Sequence, residues 1–196
     1  MAMNFKIFDD KETFSVYIAD ILRKQVHNNP TSVLAVEMNE ELEWAYEKFI
    51  GETKQHPADF SQVSISTVGK PSTDILNKLQ IPENQLHTDG SSDSLKNILK
   101  DKKQVSLGLL YLDAKGNLGF NDEDENESLY DARELFVVAT GADKADTVKE
   151  LYNAKENNKD AFSKIKSHRM VTVVLDRDAA SSLDPDIVDY YSYKFA

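Results

Sequence analysis

The chain has 196 residues, which is the length of one domain with its own hydrophobic core. Its 34 acidic and 23 basic residues give a formal net charge of -11, which repels the phosphate backbone of nucleic acids. The absence of cysteine excludes disulfides, thiolate metal ligands and a thiol nucleophile. No apolar run approaches the roughly 20 residues that span a bilayer, and residues 1–8 lack the layout of a secretory signal. We therefore expect a single cytoplasmic domain over residues 1–196 that binds neither nucleic acid nor membrane; its oligomeric state is open.

Short apolar runs alternate with longer segments of helical periodicity, the pattern of parallel strands covered by helices. The predicted strands are 4–8, 33–36, 63–66, 105–112, 135–140 and 171–175. The predicted helices are one capped by Asp10 and stopped by 28–30, then 40–50 with Gly51 just past its end, 73–79, 94–99, 143–152, and a segment from Ala179 interrupted by Pro185. We expect a three-layer α/β/α domain around a largely parallel, Rossmann-like sheet of five to seven strands.

Two possible metal sites are not supported by the spacing of their residues. The four histidines show no ligand spacing: His27, His56, His87 and His168. The acidic run 122–127 lacks an internal glycine and the glutamate spacing of an EF-hand, so it is predicted to be a solvated loop rather than a calcium loop. We predict no metal and no cofactor.

Ligands of parallel α/β sheets bind at the carboxyl ends of the strands, so the loops that follow the strands are the candidate ligand sites. The loop after strand 33–36 carries Glu37, Glu40 and Glu41 and no glycine, which makes it a poor phosphate cradle. After strand 135–140, Gly141 opens a helix with Lys144 in its first turn. Two interpretations remain open. The exposed amides and Lys144 together hold a phosphate, or Lys144 is an ordinary surface lysine.

The loop after strand 105–112 contains two glycines and two asparagines. Gly116 and Gly119 allow tight backbone geometry, and Asn117 and Asn121 supply amide groups. Two interpretations remain open. The loop either contacts a polar ligand or is an ordinary turn before a short strand over 118–120.

Most of the chain resembles the glucosamine-6-phosphate deaminase/isomerase family, which is related to the 6-phosphogluconolactonases. The segment 131–148, D-A-R-E-L-F-V-V-A-T-G-A-D-K-A-D-T-V, is similar to the family's strand, Thr-Gly turn and lysine-bearing helix. Segments 171–180 and 59–63 resemble its closing strand and the lead into its third strand. Segment 116–122, G-N-L-G-F-N-D, is similar to the deaminase motif G-H-I-G-F-N-E.

The departures from the family pattern fall on its catalytic residues. By resemblance, Asn117 occupies the position of the ring-opening histidine, Lys115 that of its supporting aspartate, and Asp122 that of the glutamate that orients it. The phosphate loop Thr-Gly-Ser-Thr-Pro is replaced by M-N-E-E-L at 38–42, and residues 66–69 contain no acid where the family has its general base. The region between Asp122 and Leu129 also looks shortened.

The resemblance implies two functions. In the first, the chain is a catalytically impaired homologue, a pseudoenzyme that acts as a ligand-binding or regulatory protein. In the second, it is an active sugar-phosphate isomerase or deaminase with a rebuilt site. In either case the resemblance implies that Lys144, Gly119 and Asn121 contact the ligand, which is a sugar phosphate or another small anion, weakly bound.

Overall fold

The computed structural model describes residues 3–69, 75–156 and 160–193. Its centre is a seven-stranded sheet in which every paired strand is parallel to its neighbour. The strands are β1 (Asn4–Phe8), β2 (Val33–Glu37), β3 (Ser64–Val68), β4 (Leu86–His87), β5 (Leu107–Tyr111), β6 (Glu134–Ala139) and β7 (Val171–Asp176), in the order β1-β7-β6-β5-β2-β3-β4. The α/β prediction is confirmed.

Helices cover both faces of the sheet. The described α-helices are α1 (Lys11–Asn28), α2 (Glu43–Gln55), α3 (Ser92–Lys102), α4 (Glu127–Tyr130), α5 (Ala145–Asn153), α6 (Ala161–Ser167) and α7 (Pro185–Tyr191). One apolar core joins the sheet to α1 and α2, and the other joins it to α3, α5 and α6. The two cores exist because strand residues alternate between the faces: Leu34 and Val36 lie in the first core, and Val33 and Ala35 lie in the second.

The first helix begins where the sequence predicts. The side chain of Asp10 accepts a hydrogen bond from Thr13 N at 2.7 Å, which satisfies one of the free N–H groups at the helix start. The helix ends at Asn28, and Ile18 and Leu22 on its inner face are almost completely buried. This capped helix follows β1 directly and places residues 9–11 at the carboxyl edge of the sheet.

Two predicted helix ends are wrong. Gly51 does not terminate α2: the helix continues to Gln55, and His56 N still donates to Glu52 O at 2.7 Å. Pro185 does not interrupt a helix. It occupies the first turn of α7, where a missing N–H costs nothing, and the segment from Ala179 to it is a series of turns.

The loop after β5 and the acidic run that follows it also differ from the prediction. Residues 118–120 form no strand, although Leu118 and Phe120 are buried. The acidic run is not a solvated loop throughout: a 3₁₀ turn at Glu123–Asn126 leads into α4.

The predicted helix 73–79 is represented by a 3₁₀ turn at Ile75–Lys78, and residues 70–74 lie outside the described part of the chain.

The strand order places a topological switch point at the carboxyl edge, and the switch-point crevice is the space between the loops that leave β2 and β5 there. From β2 the chain proceeds to β3 and β4 on one side, and from β5 it proceeds to β6 and β7 on the other. The border between β2 and β5 is therefore a topological switch point, where the loops that follow the strands diverge. Ligands of open parallel α/β sheets characteristically bind at such a point.

Candidate functional site

Glu37, the last residue of β2, bridges the switch-point crevice. Its carboxylate oxygen Oε2 accepts hydrogen bonds from Tyr111 N at 2.9 Å and from Gly119 N at 3.3 Å. Tyr111 is the last residue of β5, and Gly119 lies in the loop that follows. One side chain thus connects β2, β5 and the loop.

The environment of Glu37 shifts its ionisation. Burial raises the pKa of the Glu37 carboxyl to about 7, while the Tyr111 and Gly119 N–H groups favour the charged form and the nearby charge of Asp113 opposes it. Glu37 therefore titrates much nearer to neutral pH than an ordinary glutamate. A carboxyl group of this kind can exchange a proton under physiological conditions.

Asn117 and Asp113 close the turn after β5. The Asp113 carboxylate accepts from Asn117 Nδ2 at 2.7 Å, from Asn117 N at 2.9 Å and from Lys115 N at 2.8 Å. Burial opposes the charge on Asp113, but these hydrogen bonds outweigh it and lower the pKa of Asp113. The Asn117 amide is thus used within the turn, while the Lys115 side chain is exposed.

Asn126 holds the loop that contains Gly119. It is 2% exposed, its Oδ1 accepts from Phe120 N at 2.6 Å, and its Nδ2 donates to Phe120 O at 2.9 Å and Leu118 O at 3.2 Å. Gly119 has φ +76°, and a Cβ on it would overlap Asn126 Oδ1. The position therefore requires glycine in both conformation and space.

Two other predicted site residues lie on this loop. Asn121 directly follows Phe120 and is exposed. Asp122 is exposed and caps the 3₁₀ turn, accepting from Asp124 N at 3.1 Å. The contact of Asn121 with a ligand stays a prediction.

The turn after β6 is tied to the end of β7 by a second carboxylate. Both oxygens of Asp176 accept from Gly141 N, at 3.1 and 3.0 Å, and Oδ1 also accepts from Ala179 N at 2.7 Å. The amide that opens the turn at Gly141 therefore already has an internal acceptor. The helix after it begins as a 3₁₀ turn, Ala142–Lys144, followed by α5.

Lys144 faces the same edge as Tyr111. Its Nζ lies 2.9 Å from the Asp143 carboxylate and 5.7 Å from the centre of the Tyr111 ring. Partial burial alone would lower the pKa of Lys144, but the hydrogen bond to Asp143 and the contact with Tyr111 raise it above its ordinary value. The lysine stays charged, with a neighbouring carboxylate in close contact.

A cleft of about 370 Å³ opens beside Lys144, at the ends of β1, β6 and β7. Three basic residues line it, Lys11, Lys144 and Arg177. Six acidic residues line it as well: Asp9, Asp10, Glu41, Asp143, Asp176 and Asp178. The acidic groups outnumber the basic ones, so the cleft as a whole repels anions.

In residues 3–69, 75–156 and 160–193, no three His, Asp or Glu side chains come together in a way that holds a metal ion. In the same part of the chain no helix has the length and apolar character needed to cross a membrane.

The sequence did not identify Glu37, Asn126 or Asp176 as functional contacts. A glutamate at the end of a buried strand was a usable signal for Glu37, because a charge at that position needs a partner. Asp176 likewise ends its strand. Asn126 stands within a run of acidic residues. Nothing in the local sequence indicates that its side chain is buried.

Taken together, the fold and this edge define an open parallel α/β domain with hydrogen-bonded polar groups at its switch point. Comparison with known proteins narrows this class. The glucosamine-6-phosphate deaminase of Alkaliphilus oremlandii is 22% identical over 241 aligned positions, covering 92% of this chain and all of the relative. That of Arthrobacter sp. is 24% identical and covers 78% of this chain and 72% of the relative. Since 241 exceeds the length of this chain, the first relative contains segments without a counterpart here.

Solved structures agree on the fold. A monomeric glucosamine-6-phosphate deaminase superposes with a TM-score of 0.74 at 18% identity, over 92% of this chain and all of that one. The 6-phosphogluconolactonase of Trypanosoma cruzi superposes with a TM-score of 0.68 at 14% identity, over 93% and 98%. No protein-family profile matches the chain. The chain is therefore similar over most of its length, at low sequence identity, to glucosamine-6-phosphate deaminases, the resemblance that its sequence motifs predicted.

Proposed function

We propose that this chain does not carry out the deaminase reaction and acts as a ligand-binding or regulatory protein of sugar-phosphate metabolism. The observation that carries the proposal is the state of Asn117. It stands where the family has its ring-opening histidine, and its side-chain amide donates to Asp113 at 2.7 Å. A carboxamide does not accept and return a proton near neutral pH, so this group cannot replace the imidazole.

Its surroundings support the same proposal. Lys115 stands at the position of the family's supporting aspartate, with an exposed side chain. Ser66 and Thr67, in the segment that corresponds to the family's general base, are fully buried and neither is an acid. Loss of one positioned general acid or base typically costs about 100- to 10,000-fold in rate. Several such losses together leave little of the original reaction.

The proposed ligand is a sugar phosphate or another small anion that contacts Lys144, Gly119 and Asn121. The relatives support this ligand class, because the substrates in their names are sugar phosphates. The excess of carboxylates in the cleft and the close contact between Lys144 and Asp143 weaken any such interaction. We therefore propose weak binding.

Glu37 favours a second candidate function, that of an active isomerase or deaminase with a rebuilt site. Its raised pKa, about 7, and its position in the switch-point crevice suit a general acid or base. In that case turnover requires the carboxyl group, and the variant Glu37→Gln is inactive while it remains folded.

The test is to incubate the purified protein with glucosamine-6-phosphate, and separately with fructose-6-phosphate and ammonia, and to follow both mixtures by proton and phosphorus NMR. The proposal predicts that neither mixture changes, while resonances of the sugar phosphate broaden or shift on weak binding. Interconversion of the two sugars would favour the rebuilt enzyme, and its loss in Glu37→Gln would assign the reaction to Glu37. A contaminating enzyme would be unaffected by that substitution.

A further inference from the structure

Two backbone donors converge on one point in the switch-point crevice. Tyr111 N and Gly119 N lie 2.9 and 3.3 Å from the same atom, Glu37 Oε2. The hydrogen-bonded ladder between β2 and β5 pairs Val36 with Leu109 and extends no further toward the carboxyl edge. Tyr111 lies beyond that pair, so its N–H donates to the side chain of Glu37 and not to the backbone of β2.

Both donors are held in place without help from Glu37. Tyr111 belongs to a central strand, and the next residue, Leu112, donates its N–H to Val138 O at 2.8 Å. The loop around Gly119 is fixed by the buried Asn126, which bonds to the backbone on both sides of the glycine. The two N–H groups thus form a preorganised pair, as in sites that stabilise an anionic oxygen.

The backbone of Glu37 is held in place independently of its side chain. Tyr46 Oη donates to Glu37 O at 2.6 Å, and Met38 N donates to Val68 O at 3.0 Å. These bonds fix the strand end on both sides of the Glu37 side chain. Glu37 is only partly buried, so some of its surface faces solvent.

We propose that Tyr111 N–H and Gly119 N–H form an oxyanion subsite that Glu37 occupies from within the protein. A ligand that binds in the crevice carries a carboxylate or phosphate oxygen, displaces the Glu37 side chain and takes its two hydrogen bonds. Glu37 therefore acts as a built-in competitor that keeps the affinity for small anions low. This inference deepens the proposed ligand-binding function, in which Gly119 contacts the ligand, and it holds whether or not the chain catalyses a reaction.

The test uses nitrogen-15-labelled full-length protein titrated with inorganic phosphate and, separately, with acetate. In Glu37→Ala the amide resonances of Tyr111 and Gly119 shift saturably, with an apparent affinity at least about tenfold above that of the wild type, the scale expected for hydrogen bonds to a charged group. The anion that binds more tightly identifies the ligand oxygen as phosphate or carboxylate. Glu41→Ala is the matched control, because it removes a carboxylate from the neighbouring cleft and leaves Glu37 in place.

Glu37→Gln covers the case in which the alanine variant does not fold. Its amide oxygen reaches the same two donors without a charge, so phosphate displaces it more readily than it displaces glutamate, by a smaller factor than in the alanine variant. The inference is wrong if a folded Glu37 variant shows no gain in anion affinity at Tyr111 and Gly119. It is also wrong if Glu41→Ala gains as much, because the effect is then one of overall charge.

Discussion

The carboxylate of Glu37 accepts a hydrogen bond from Tyr111 N at 2.9 Å, across the crevice between two strands whose residues are 74 positions apart in sequence. This contact links the ends of β2 and β5 at the point where the chain turns in opposite directions. It also buries an ionisable group whose pKa is raised to about 7. The stability of the protein must therefore depend on pH through this residue.

The first prediction concerns that dependence. Because the folded-state pKa of Glu37 is raised from 4.5 to about 7, its contribution to stability is present at low pH and is lost as the pH rises through this range. The loss is on the order of 3 kcal/mol, because each pKa unit corresponds to 1.36 kcal/mol. Glu37→Gln should remove this pH-dependent contribution. Urea unfolding should therefore show that the variant gains stability relative to the wild type as the pH rises from 5 to 8.

The control for this measurement is Glu47→Gln, which changes an exposed glutamate on α2. It should leave the slope of stability against pH close to that of the wild type. Equal slopes for wild type and Glu37→Gln would show that Glu37 does not ionise in the predicted range.

The second prediction concerns Asn126. Replacement by Ala removes the acceptor of Phe120 N and the donor to two carbonyl groups in a buried site, which should cost about 2–3 kcal/mol of unfolding free energy. Asn121→Ala, on the exposed part of the same loop, should change the stability by less than about 0.5 kcal/mol. Denaturant unfolding measures both, and similar effects would contradict the role assigned to Asn126.

The third prediction compares two glycines. Gly119→Ala should destabilise the protein by more than 1–2 kcal/mol, since φ is +76° and the new methyl group overlaps Asn126. Gly51→Ala should stabilise it by about 1 kcal/mol, because Gly51 lies inside α2 with open space around it. Thermal unfolding of the two variants should thus shift the melting temperature in opposite directions. Shifts of the same sign would contradict the local geometry.

The order of the six longer strands was predictable from the sequence, but the two-residue strand β4, the helices α4 and α6, and the contacts at the crevice were not. The start of α1 followed from Asp10 because capping is local and needs three residues. The role of Glu37 depends on where β5 places Tyr111, which no local pattern shows. The end of α2 was mispredicted at Gly51 because one glycine costs a helix only about 1 kcal/mol, and the backbone hydrogen bonds of α2 continue past it.

The fourth prediction concerns Lys144. Any phosphate or sugar phosphate that the wild type binds in the cleft should be lost in Lys144→Ala, because its Nζ carries a full positive charge that draws an anion to that edge. Lys149→Ala, an exposed lysine on the same helix, should bind like the wild type. Calorimetric titration at low salt compares them, since screening is least there. Equal affinity in Lys144→Ala and the wild type would remove Lys144 from the site.

The most direct test of the central claim is the rate of ammonia release from glucosamine-6-phosphate. The assay should be run near neutral pH with the Alkaliphilus oremlandii deaminase as the positive control. With Asn117 in place of the histidine and no acid in residues 66–69, we expect a rate at least about 1,000-fold below that of the relative. A rate within about tenfold of the relative, retained through purification and abolished by Glu37→Gln, would contradict the account and establish an enzyme with a rebuilt site.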